Sequence, residues 1–154
     1  TVVEQVEQSD GTIEERSAPK RLPDREVTVL DVYGDLFFAG ARRLHQLLPT
    51  PRGASHPVVI LRLRGRRQFG ATLVEVLSGY AEKIKDADGR LYLTGLDPAA
   101  RQQLLDNGTF RSSGPAQAYE ATAVLGESTR SAHASAEEWL ASGPDDKSDR
   151  NNRE

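Results

Sequence analysis

The stretch "VVILRLRGRRQFGATLVEVLSGY", Val58 to Tyr80, places Arg62, Arg64, Arg66 and Arg67 where an apolar run hands over to a helical pattern. The start of a helix presents unpaired backbone N–H groups and a partial positive charge, so it attracts anions. Gly70, Ala71 and Thr72 beside Arg64, Arg66 and Arg67 therefore form a candidate site for a phosphate, a nucleotide or a carboxylate. The same arginines serve equally for docking on an acidic protein, a membrane domain or anionic lipid headgroups. A solvated loop at the edge of a sheet is the third reading. No GxxxxGK[ST] phosphate loop occurs.

Other side chains offer less. His45, His56 and His133 are far apart with no metal-ligand spacing, and no serine sits in a nucleophile elbow. The chain has no cysteine, which excludes disulfides, zinc–thiolate sites and thiol nucleophiles. Glu75 and Glu82 read as solvated helix charges. No catalytic residue, metal ligand or cofactor is expected, so the chain is not expected to be an enzyme.

With 154 residues the chain is long enough for one ordinary domain. Hydrophobic residues at 37% point to one compact core with polar ends, and a net charge of −3 argues against a nucleic-acid polymer as partner. No apolar run approaches the length of a membrane span, and no signal peptide is visible. The absence of methionine, even at the first position, leads us to expect a piece of a longer protein.

The elements that must position the arginines follow from periodicity. Residues 1–25 read as a lead-in with a hairpin signal at Asp10-Gly11. "EVTVLDVYGDLFF", Glu26 to Phe38, reads as a strand pair turning at Gly34-Asp35, followed by a helix from Ala39 to Leu48 with Leu44, Leu47 and Leu48 inward. Val58 to Leu63 is the expected central strand. A helix from Ala71 carries Leu73, Val76, Leu77, Tyr80 and Ile84 on one stripe and ends before Gly89. "RLYLTGL" is a buried strand. Asp97-Pro98 opens the next helix and Gly108 closes it. A short strand is expected over Tyr119 to Leu125 and a last helix over Ser128 to Leu140. Phe37, Phe38 and Trp139 are expected in the core, and residues 142–154 as a disordered tail. Single strands alternating with single helices imply an α/β fold, a central mixed sheet packed with about four to five helices.

"GDLFFAGARRL", with Gly34, Leu36, Phe37, Phe38 and Ala41, and "HPVVILRLRGRRQFGATLVEVLSGYAEKIKDADGRLYLTGLDPAARQQLLDNG" resemble a STAS domain. The closer likeness is to the STAS domain at the cytoplasmic C-terminus of SulP-family anion transporters, the sulfate permeases. The resemblance covers roughly Val27 to Leu140 and implies a STAS domain over 26–141, with residues 1–25 as linker. It implies a regulatory or assembly role on the cytoplasmic face of the cell membrane. The partner is then the transmembrane domain of the same chain, which moves sulfate, bicarbonate or a related anion. A homodimer partner, an acidic protein or a nucleotide is a further partner it admits.

The family pattern usually ends the central strand in an aspartate and opens the next helix with an Asp-Ser-Ser/Thr-Gly type of sequence. Here those places hold Arg62 and then Gly70, Ala71, Thr72 and Leu73. Thr72 is thus the equivalent of the serine phosphorylated in the related anti-sigma factor antagonists. A stand-alone phospho-switch of that kind is the alternative reading, and a small flavodoxin-like enzyme a more distant one.

Overall fold

A computed structural model describes residues 1–37 and 39–143. Within them, six strands form one mixed sheet flanked by four helices, an α/β fold. The strands are β1 (Val2–Glu7), β2 (Ile13–Ser17), β3 (Val27–Val32), β4 (Val58–Arg62), β5 (Arg90–Leu96) and β6 (Ala116–Glu120). The helices are α1 (Ala39–Leu47), α2 (Ala71–Asp86), α3 (Pro98–Asn107) and α4 (Glu127–Ala141). Sheet order is β2-β1-β3-β4-β5-β6, with β1 antiparallel to β2 and β3, and β3 to β6 mutually parallel. All the parallel strands therefore end at the same edge of the molecule.

Local chemistry accounts for many element ends. Asp10 accepts from the Thr12 amide at 2.9 Å, and Gly11 takes a φ of +85°, so the β1–β2 hairpin closes where Asp-Gly predicts. This hairpin joins the sheet, and Val2 is buried. Asp97 accepts from the Ala99 amide at 3.0 Å, Pro98 opens α3, and Gly108 at φ +88° stops it.

The sheet's two faces differ. One packs Leu30, Val59, Leu61, Leu91 and Leu93 under Leu44 of α1, Leu77 and Ile84 of α2, and Leu104 of α3. The other carries Val58, Ile60 and Tyr92 under α4, whose fully buried Ala132 and Ala136 let the helix lie close. β4 has no exposed apolar position because both faces are covered, as its unbroken VVIL predicts.

Four expectations change. Among the described residues of the Glu26–Phe38 stretch only Val27–Val32 forms a strand, because β1 takes the antiparallel place beside β3 that a second strand would occupy. Gly34, at φ +104°, instead sends the chain outward, and Asp35 accepts from the Phe37 amide at 2.9 Å. The last strand is Ala116–Glu120 rather than Tyr119–Leu125, since Ala116 and Ala118 face the core while residues 121–125 are exposed. Phe37 is 59% exposed and so is not a core residue. Leu47 also lies at the surface, whereas Leu44 and Leu48 are buried. Trp139, expected in the core, is half-buried and packs against the cluster beneath α4. Phe38 and residues 144–154, most of the expected tail, lie outside the described residues.

Candidate functional site

In parallel α/β sheets, ligands and partners meet the loops that leave the carboxyl ends of the strands. Among the described residues those loops are 33–37 after β3, 63–70 after β4, Asp97 after β5 and 121–126 after β6.

Arg62 is a structural tie. It donates to Asp31 at 2.7 Å and to Thr129 Oγ1 at 3.2 Å, and Thr129 in turn bonds Thr94 at 2.9 Å. Gln5 also donates to Asp31, and the Gly95 amide donates to Ser128 Oγ at 3.0 Å. This chain stitches the start of α4 to four strands. Burial pushes the Asp31 carboxyl up from its ordinary value, the Arg62 charge offsets this in part, and Glu15 adds to it.

Arg64 does not share a groove with Arg66 and Arg67. With Gly95, Thr122, Val124 and Leu125 it lines a cavity of about 30 Å³, room for little more than a water molecule. Gly95, at φ +73°, lets the loop pass close overhead: a Cβ there would stand 3.3 Å from the Arg64 Cα.

Arg66 and Arg67 line a different groove, of about 510 Å³, with Leu36, Phe37, Gly70 and Leu73. That volume falls in the range of small-molecule sites. Arg66 donates to the Gly34 carbonyl at 2.7 Å and to the Val32 carbonyl at 3.5 Å, so it joins the loop after β3 to the loop after β4. Its Nε is buried with no hydrogen-bond partner, and burial lowers its pKa while Asp35 partly offsets this. Arg67 is exposed. Gly70 caps α2 without a side-chain bond, and no acid stands in the helix's first turn. Gln103 of α3 holds the approach to that helix by bonding both the Phe69 amide, at 3.2 Å, and the Phe69 carbonyl, at 2.6 Å.

The remaining candidates go elsewhere. Ala71 lines a cleft between α2 and α3 with Gln103 and Asn107. Thr72 is half-buried in a cleft between α1 and α2 beside Arg42, His45 and Glu75. Arg66, Arg67 and Gly70 thus share one groove, and Arg64, Ala71 and Thr72 do not enter it. The groove's apolar wall, Leu36 and Phe37, was not among the sequence candidates; the exposed Phe37 is read from sequence as core. Val124 and Leu125, 54% and 62% exposed, also escape notice because they read as strand.

Elsewhere, His56 is buried, with Nδ1 2.9 Å from Ser55 Oγ and its ring 6.2 Å from that of Trp139. Arg90 lies over the Trp139 ring at 4.6 Å. Among the described residues no group of histidine and carboxylate side chains is placed to hold a metal, and no helix is long and apolar enough to cross a membrane. No protein-family model matches the chain, and no curated protein matches it either.

Proposed function

We propose that the chain is a non-catalytic regulatory and assembly module, similar to the STAS domain at the cytoplasmic C-terminus of SulP-family anion transporters. It acts from the cytoplasmic face of the cell membrane, against the transmembrane domain of its own chain. The reading rests first on the motifs quoted above. The observation that carries it furthest is the Arg66 bond to Gly34, which joins the "GDLFF" segment to the arginine loop in one groove. These two segments carry the resemblance, and a partner or anionic ligand seated in the groove touches both. Such an occupant biases a transport cycle only if it binds one arrangement of the module better than another.

The decisive test is the coding sequence ahead of Thr1. Many apolar spans directly upstream support the transporter reading. A start codon close by, with no spans, overturns it in favour of a free-standing antagonist-like switch, for which kinase-dependent phosphorylation of Thr72 is then the assay. Ligand binding is tested separately by titrating inorganic phosphate or a guanine nucleotide into isotope-labelled protein. Arg67→Ala is the informative variant, because Arg66 also braces two loops. Shifts around Gly70 that vanish in that variant support an anion site, and identical shifts in both proteins sink it.

A further inference from the structure

Four exposed large apolar side chains gather at the carboxyl end of the parallel strands: Tyr33 and Phe37 after β3, Val124 and Leu125 after β6. Between them stands the loop after β4 with Arg64, Arg66 and Arg67 and no acidic residue from Leu63 to Gly70. Arg64 lines a cavity with Val124 and Leu125, and Arg66 and Arg67 line a separate groove with Phe37, so the loop turns an arginine towards each set of tips. Three acids at this end accept hydrogen bonds and keep their charge: Asp35 from the Phe37 amide, Asp97 from the Ala99 amide, and Glu15 from the Tyr33 hydroxyl at 2.6 Å. Glu120 and Glu127 flank the Val124–Leu125 tip, which leaves the positive charge on the arginine side.

We propose that this rim seats on the surface of an anionic lipid bilayer. Separate apolar tips interleaved with arginines suit an interface that yields to each side chain and needs no matching shape. Basic residues beside such tips gain from the negative potential of an anionic leaflet, an attraction that fades within about a Debye length. A folded acidic partner would instead favour a wide groove with a continuous apolar floor. The net charge of −3 makes the basic rim a local feature, so the molecule approaches with this end forward. The Thr1 nitrogen also sits here, donating to the Tyr33 carbonyl at 2.9 Å. On the transporter reading, to which the geometric part of this proposal is linked, a membrane domain ahead of Thr1 holds the rim against lipid.

The test is co-sedimentation of the chain with vesicles of phosphatidylcholine alone and of phosphatidylcholine mixed equally with phosphatidylglycerol. Binding to the mixed vesicles only is the expected result. Arg64→Ala with Arg67→Ala weakens it about 30-fold, since each basic residue near such a surface adds several-fold. Phe37→Ser with Leu125→Ser also weakens it, while Arg64→Lys with Arg67→Lys retains it. Unchanged denaturation midpoints in all three variants show that the fold is intact. No sedimentation with anionic vesicles, or equal binding by the alanine pair, overturns the proposal. Capture on polyglutamate with no vesicle binding overturns it in favour of an acidic polypeptide. A failure here leaves the upstream-sequence test untouched, and the converse holds.

Discussion

The two ends of the parallel strands are built in opposite ways. At the amino end, loops are bonded to one another. The Arg25 amide donates to Ser55, the Ser55 amide to Asp24, the His56 amide to Ala87 and the Arg90 amide to Pro57. Arg25, His56 and Asp88, the non-glycine residues with left-handed backbone among those described, all lie there, at φ of +50°, +51° and +57°. Such conformations persist only where the surroundings over-determine them. At the carboxyl end the loops carry exposed aromatic and aliphatic side chains and arginines, and Arg66 is the main brace between two of them. One end is specified by the fold's own contacts, whereas the other leaves surface for something else to cover.

Gly89→Ala is the severest challenge to the braced end. A Cβ there would lie 2.2 Å from the Pro57 carbonyl oxygen, which already accepts from Arg90. We expect a loss of about 4 kcal/mol in denaturant unfolding, because backbone must move. A loss within about 0.5 kcal/mol would show that end to be pliable.

Arg62→Ala probes the boundary beneath the rim. It leaves Asp31 without its ion pair, with both side chains less than a fifth exposed, and costs about 3 kcal/mol near neutral pH. The sign of its pH dependence follows from the raised Asp31 pKa. A carboxyl held above its ordinary value contributes stability that is fully present below 3.8 and lost as pH rises through the folded value. Arg62 offsets that loss, so the gap between the parent and Arg62→Ala should narrow in acid and widen towards neutrality. A gap that is constant with pH contradicts this role.

Tyr80→Phe removes a buried bond to the Pro49 carbonyl of 2.6 Å, at the braced end, and should cost about 1.5 kcal/mol. The smallest stability effect belongs to the rim. Phe37→Ser and Arg67→Ala should each stay within about 0.5 kcal/mol of the parent. If either destabilises as strongly as Tyr80→Phe, the rim is part of the fold rather than a free surface.

How much of this could be read from sequence depended on whether the determinant was local. β5 is the "RLYLTGL" run itself, and α3 begins and ends where Asp97-Pro98 and Gly108 place it. Caps and turns are decided by neighbouring residues. The strand proposed after Gly34 failed because pairing with β3 was settled by the remote β1. Phe37 misled for a similar reason, since aromatic residues favour both strands and cores. In the candidate site, the arginine cluster was visible but its direction was not. Gly65, at φ +81°, turns the loop between Arg64 and Arg66, so close spacing in sequence becomes two different surfaces. Thr72 lies one residue past Ala71, yet the helix turns it towards α1.

The carboxyl rim is proposed as the face this molecule presents to its surroundings. Hydrogen exchange measured with and without anionic vesicles tests it most directly. Slowed exchange is expected in residues 33–37, 64–70 and 121–126, with the loops around Ser55 and Asp88 unchanged. Slowed exchange confined to the amino end, or no change at any loop, would contradict it.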